Sequence, residues 1–509
     1  MAEDNPPKGK SDLADSKKLA AGSSATFAGQ LVDRSARFGN TWMLSRLLGT
    51  GQFGLYTSAV TIVTIAATLA AAGLDNGVVY FGSQASGAEH RKRFSAILFH
   101  AIWLSALCGI MVFSALLLAL YTSPQLFTGQ TLATAIIVAS PIVLLRPQQR
   151  LLISALHAQQ RMKIAAVLNG VFLPVSMLIV GVLAVLFGAG LVGALVAASV
   201  GFLFAIVGSI WALRHDLPSL LHLPEKGRKP AEILRYSLPL SIGNVLFRLN
   251  IWTDILMLTW LTTSESVGIY KVAAALAMLT TVPTAAVRTA LRPMVAKLIA
   301  SNEISRLSSL LTTSSKWLIV SASPIIALLL IGPNHFLSIF GPKAILGATA
   351  LVTLVCGQCF NIATSPIATV LTMGGHPKLD MKNGMFAALV NITLNAILIP
   401  QYGISGAAIA SATALATWAL LRTIEVRLLI GVNPFSTRLF ALLVPFGIAI
   451  FIAKQWTLEQ TGWVQLGTGL SISALFCYAA WKFIKDDVDQ ALFNGLIHRI
   501  RGLIRTRRV

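Results

Sequence analysis

Arginines stand in this sequence at places where an apolar chain should tolerate none, and their spacing is the first chemistry it offers. Gln30, Arg34 and Arg37 follow an i, i+4, i+7 rhythm, which brings all three to one helix face, and Asp33 lies one turn before Arg37, close enough to pair with it. No spacing rule gives Arg34 a partner. In a later apolar segment Asn244 and Arg248 share one face and Asn250 and Asp254 another, all near the segment's middle. Arg146 and Arg150, and again Arg288 and Arg292, form i, i+4 pairs of like charge that repel unless an anion or a wet cavity lies between them. An ionised side chain costs about 2.5–3.5 kcal/mol at the centre of a membrane helix, so these groups must face protein or water. Carboxylates in the apolar segments are few, chiefly Asp33, Asp75, Asp254 and Glu425. Buried cations therefore outnumber buried anions, and a cavity lined by them selects an anion. Any single arginine keeps a second reading, snorkelling or an ion pair between helices.

The elements that must hold these residues are membrane helices. Of 509 residues 55% are hydrophobic and 12% charged, and the mean hydropathy is +0.74, which no ordinary water-soluble domain presents. Apolar runs of roughly 20 residues recur along the chain, and in hydrocarbon only helices or closed barrels satisfy their own backbone. The runs are long and continuously apolar, so the expected fold is all-α, a polytopic membrane protein of about fourteen transmembrane helices. The expected divisions are a disordered cytoplasmic tail over 1–20, six spans over 21–215, a cytoplasmic linker over 216–232, six more spans over 233–430, a last pair over 431–484, and a basic tail over 485–509. The loops are too short to fold into a soluble catalytic domain, which needs at least about 50 residues.

About 28 of the 40 basic residues fall in the tails and in alternate loops, with about three (Arg46, Lys343 and Lys454) in the opposite set, which predicts cytoplasmic termini. The net charge of +21 is then a topology signal and an attraction to anionic lipid, not a nucleic-acid footprint. Leu492, Leu496, Ile500 and Leu503 share a stripe among Arg499, Arg501 and Arg505, the pattern of a helix lying on the inner leaflet. Cys108, Cys356, Cys359 and Cys477 lie in apolar runs as small hydrophobes, and neither a metal site nor a cofactor is implied. Prolines such as Pro141, Pro147, Pro174 and Pro239 interrupt spans and permit kinks. The segment from Gln52 to Tyr56 matches that from Ser266 to Tyr270, and the segment from Gly190 to Leu195 matches that from Gly403 to Ala408 at nearly the same offset. Two matches at one offset predict duplicated six-helix halves of like orientation, the last two helices lying outside the duplication.

The stretches from Ser45 to Val63, Ala72 to Val79, Ile233 to Leu246 and Ser266 to Leu276 resemble bacterial polysaccharide flippases, in helix order over about residues 20–484. The superfamily they belong to also holds multidrug antiporters and peptidoglycan-precursor flippases. The resemblance implies a V-shaped pair of six-helix lobes with pseudo-two-fold symmetry, acting as a monomer by alternating access. It implies a substrate that is an undecaprenyl-diphosphate-linked oligosaccharide, carried to the periplasmic leaflet of the bacterial inner membrane for polysaccharide polymerase and chain-length machinery. Arg34, Arg37 and Arg248 become candidates for the diphosphate, and Arg146, Arg150, Arg288 and Arg292 for a ring at the cavity mouth. Gln30, Asn244 and Asn250 become polar cavity residues. Asp33, Asp75 and Asp254 either couple H+ or Na+ or hold an arginine in place. A drug antiporter should instead carry an acidic cavity for cationic drugs, whereas a peptidoglycan-precursor flippase would share the cationic one. An enzyme acting on the same glycans should carry a large outer loop and a nucleophile cluster, and the sequence offers neither.

Overall fold

A computed structural model describes residues 8–84, 90–123, 130–214, 230–432, 437–457, 460 and 462–484. Within these, the side chains of Gln30, Asn244, Arg248 and Asn250 lie outside the described residues, as does the basic tail from 485. The regular elements among the described residues are all helical. In chain order they are α1 (Lys8–Ala70), α2 (Leu74–Gln84), α3 (His90–Thr122), α4 (Gln130–Ala139), α5 (Pro141–Ala158), α6 (Met162–Val167), α7 (Leu173–Leu186), α8 (Gly190–Leu213) and α9 (Pro230–Leu261). There follow α10 (Ser264–Leu279), α11 (Val282–Ala300), α12 (Ile304–Ile331), α13 (Pro333–Ser338), α14 (Ala348–Met373), α15 (Pro377–Ile430), α16 (Thr437–Trp456) and α17 (Gly462–Ile484). α1 starts at Lys8, inside the segment expected to be an irregular tail, in a run rich in the helix formers Lys, Leu and Ala.

Nine helical stretches among the described residues are long and apolar enough to cross a membrane. Two of them are double. α1 turns at Gly49 (φ 73°) and α15 at Gly403 (φ 55°), left-handed conformations that only glycine adopts without strain. Each is therefore two rods joined without a loop. The second rod of α1 continues into α2, α4 into α5, α6 through a π-helical turn (Leu168–Phe172) into α7, and α10 into α11. With α13 as a short connector, fourteen rods result, matching the fourteen apolar segments read from the sequence. The repeat is visible in backbone geometry as well, since Gly190, the counterpart of Gly403, has φ 52°.

The described helices fall into two compact units, one of 1–275, 337–347 and 388–410, the other of 276–336, 348–387 and 411–509. In the first, two aliphatic clusters tie α1–α5 and α8 together, one around Phe94, Leu98 and Leu151, the other around Ile136, Val143 and Leu195. α1 and α10 cross here with backbone against backbone. A methyl group built on Gly54 would lie 1.6 Å from the Ser264 carbonyl oxygen, and one on Gly268 would lie 2.1 Å from that of Thr50. Gly54 and Gly268 are equivalent positions of the repeat, so the duplicated motif packs against its own copy, which small residues alone permit. Beside the crossing, the Thr50 hydroxyl donates to Glu265 Oε1 (3.0 Å), and Lys343 Nζ pairs with the same oxygen (2.8 Å). In the second unit Ile319, Ala327 and Ile331 of α12 pack with Phe446, Ile450 and Phe476, which fixes α16 and α17 to that helix.

Candidate functional site

The site is built from α1 outward. Beyond the bend at Gly49, the second rod of α1 presents Phe53, Tyr56, Thr57 and Thr64 along one side, and the first rod brings Arg37 and Asn40 to the same place. α5 adds Ile142 and Arg146, α7 adds Pro174 and Met177, α8 adds Phe202, and α10 adds Lys271. Together they enclose a cavity of about 210 Å³ in the first unit. Its described lining carries Arg37, Arg146 and Lys271 and no carboxylate. Arg146 Nη1 donates to the Thr64 hydroxyl at 2.7 Å, which holds the guanidinium at the wall. Asp33, outside the lining, takes Arg37 Nε at 2.7 Å and so uses one of that group's five N–H donors. Cations fixed in a low-dielectric wall attract an anion far more strongly than in water.

The like-charged pair Arg146 and Arg150 needs no shared anion, contrary to the reading from spacing. Arg150 turns instead to Asp75, a partly buried ion pair, while Arg146 turns to Thr64. Asp75 is thereby the partner that holds an arginine in place, with its Oδ1 left without a hydrogen-bond partner among the described residues. Arg34 is likewise engaged in a side-chain interaction, so it is not the unmatched cation that spacing suggests. Arg288 and Arg292 are exposed on α11 in the second unit, and Arg288 is within electrostatic reach of Arg292, Asp380 and Arg422.

Asp254 is held by hydroxyl and amide donors. It is 5% exposed, accepts the Tyr270 hydroxyl at 2.5 Å on Oδ2, and accepts Asn391 Nδ2 (3.1 Å) and Asn395 Nδ2 (2.9 Å) on Oδ1. Asn395 Oδ1, next to these donors, is buried without a hydrogen-bond partner among the described residues. A carboxylate and an orphaned amide oxygen in one buried cluster are the oxygen donors that a proton or a small hard cation would satisfy. The sequence reading has Tyr270 and Lys271 only as members of the repeat and family motif, without a site role, and does not single out Asn391 and Asn395. The Asn-x-x-x-Asn spacing in an apolar run is the signal that exposes the asparagine pair.

The second unit holds a different cavity, an apolar groove of about 680 Å³ between α12, α14, α15 and α16, lined by Ile319, Phe360, Leu420, Leu443, Phe446 and Ile450 among others. Three of that unit's charged groups, away from the groove lining, have side-chain partners. Arg422 Nε meets Asp380 Oδ1 at 2.5 Å and its guanidinium stacks 4.0 Å from the Trp418 ring, while Asn383 Nδ2 donates to Glu425 at 2.6 Å.

A polytopic helical fold with a cavity lined by basic side chains defines a multi-pass membrane protein. The chain belongs to the polysaccharide biosynthesis protein family, which matches residues 19–299; the MatE family matches residues 239–397. Two relatives from Haloferax volcanii are similar to it: a probable low-salt glycan biosynthesis flippase, Agl15, 25% identical over 36% of this chain, and a probable flippase, AglR, 26% identical over 31%. The matched segments span 38% and 34% of those relatives. Both carry the names of transporters, not enzymes. Among solved structures, the fold is similar to the lipid II flippase MurJ in an inward closed conformation (TM-score 0.70, 15% identity, covering 91% of this chain and 99% of that one). It is also similar to an inward-facing multidrug resistance MATE transporter of the MOP superfamily (TM-score 0.64, 13% identity, covering 80% and 98%). The expected all-α, polytopic membrane fold is the one observed.

Proposed function

We propose that this protein is a flippase for a polyprenyl-diphosphate-linked oligosaccharide, moving it from the cytoplasmic to the periplasmic leaflet of a bacterial inner membrane by alternating access. The observation that carries the reading is the cavity lining of Arg37, Arg146 and Lys271 with no carboxylate among the described residues. A diphosphate presents several acceptor oxygens to such a set, and guanidinium forks bind them by charge-assisted, bidentate hydrogen bonds. A cationic drug would meet repulsion there, which counts against an antiporter for such compounds. The second unit, taken by itself, carries an apolar groove of the kind that accepts a lipid chain. Asp254 with Asn391 and Asn395 is the place where H+ or Na+ would couple transport to an ion gradient. Termini on the cytoplasmic side and delivery to a polysaccharide polymerase complete the reading.

The test is reconstitution in liposomes with a fluorescent polyprenyl-diphosphate oligosaccharide added to one leaflet. Translocation above that of empty liposomes is expected, and its loss in Arg146→Glu with the protein still folded. Export of a cationic dye without movement of the lipid-linked sugar would overturn the reading.

A further inference from the structure

Tyr270 and Lys271 are neighbours on α10 that serve two different places. Tyr270, 2% exposed, donates its hydroxyl to the buried Asp254 at 2.5 Å. Lys271 lines the anion cavity with Arg37 and Arg146. Adjacent residues of a helix point about 100° apart around its axis. One short helix therefore holds a buried carboxylate on one side and a cavity cation on another. Two residues earlier, Gly268 removes any side chain from the crossing with α1, where its own absent methyl would lie 2.1 Å from the Thr50 carbonyl oxygen. Helices packed by interdigitating side chains are locked in rotation, whereas a crossing of bare backbone has no knobs to block a small roll. Gly268 is thus placed as a pivot, with Tyr270 and Lys271 just beyond it.

We propose that Tyr270 is a positioning residue through which the charge state of Asp254 sets the placement of Lys271, and with it the cavity's affinity for an anion; this rests on the cavity being the diphosphate site. Ionised, Asp254 is a strong acceptor and holds α10 by the Tyr270 hydroxyl. Neutralised by a proton, or with its lone pairs turned to a metal cation, it is a poorer acceptor, the hold on α10 weakens, and Lys271 shifts with the helix. Asn395 Oδ1 beside it, without a hydrogen-bond partner among the described residues, gives such a proton or cation a second oxygen. Linkage requires the reverse effect to be equal in size, so an anion in the cavity alters the cation affinity of Asp254 by the same factor.

The test is a double-mutant cycle read by calorimetric binding of inorganic pyrophosphate to the full chain in nanodiscs. Asp254→Asn is expected to change the pyrophosphate Kd by about fivefold or more. In the Tyr270→Phe background the same substitution is expected to change it by less than about twofold. Lys271→Arg should retain the coupling, and Lys271→Met should weaken binding and abolish the coupling. Equal shifts in the two backgrounds overturn the proposal, as does a wild-type chain that binds no pyrophosphate. If Asp254→Asn does not fold, Asp254→Ala takes its place in the cycle under the same criteria. Translocation by the wild-type chain in liposomes is scored separately. Its absence sinks the flippase reading, whereas additive effects with translocation intact sink the coupling alone.

Discussion

The cavity of the first unit is about 210 Å³ and is walled by Arg37, Arg146 and Lys271, whereas the groove of the second is about 680 Å³ and is walled by Ile319, Phe360, Leu420, Phe446 and their apolar neighbours. Both units contain buried or half-buried arginines, but they use them differently. In the first, Arg146 rests on a neutral hydroxyl and lines the cavity. In the second, Arg422 is spent on Asp380 and on the Trp418 ring and lines no part of the groove. The contrast teaches that an intramembrane cation lining a cavity is a candidate ligand site, whereas one locked to a carboxylate and an aromatic ring away from the groove is a structural clamp.

That contrast breaks most readily at Arg422. Replacing it by Met leaves the partly buried Asp380 without its cation, and about 3–5 kcal/mol, the cost of breaking a fully buried pair, is the upper bound. A large fall in thermal stability with pyrophosphate affinity intact in the folded fraction is expected from denaturation and calorimetry. Arg146→Glu should behave the other way round. It replaces a charge-assisted donor with a carboxylate and should weaken pyrophosphate binding by about 3 kcal/mol, or ~100-fold, with little change in melting temperature. A melting temperature that collapsed while binding survived would make Arg146 a clamp too. Gly447→Trp, filling the groove from α16, should weaken binding of a polyprenyl lipid by roughly tenfold and leave pyrophosphate binding unchanged. An equal loss for both ligands would show that the groove is not a separate tail site.

The smallest effect is expected outside the membrane segments. Lys343, and after it the Thr50 hydroxyl, hold the Glu265 carboxyl below the ordinary carboxylate range. A depressed folded-state value means that this contact stabilises the fold above the unfolded-state pKa of about 4.3 and is lost as pH falls through the lower, folded-state value. Glu265→Gln should therefore melt slightly below wild type at neutral pH, with the gap closing in acid. A gap that widened in acid would contradict the sign.

The sequence displays what is local. Apolar length sets the rods, and the Asp33 and Arg37 pair follows from one helical turn and is present at 2.7 Å. The repeat places Gly54 and Gly268 at equivalent positions, but their mutual contact is a tertiary event. The partners that decide the site lie far along the chain: Arg146 with Thr64, Arg150 with Asp75, and Asp254 with Asn391 and Asn395. No helical spacing joins residues 75 or 137 positions apart. Lys271 escaped for a different reason, since it is a single cation in the tail of an apolar motif and acquires meaning from the α1 and α5 residues that share its cavity.

The account's central claim is that the chain binds a lipid-borne diphosphate in a cationic cavity. It is tested most directly by equilibrium binding of a polyprenyl diphosphate, the matching monophosphate and a cationic dye to the purified full chain. The account predicts that the diphosphate binds, that the monophosphate binds more weakly, that the dye does not compete, and that Arg146→Glu abolishes the preference. Saturable dye binding, with the two phosphates indistinguishable and indifferent to Arg146→Glu, would contradict it.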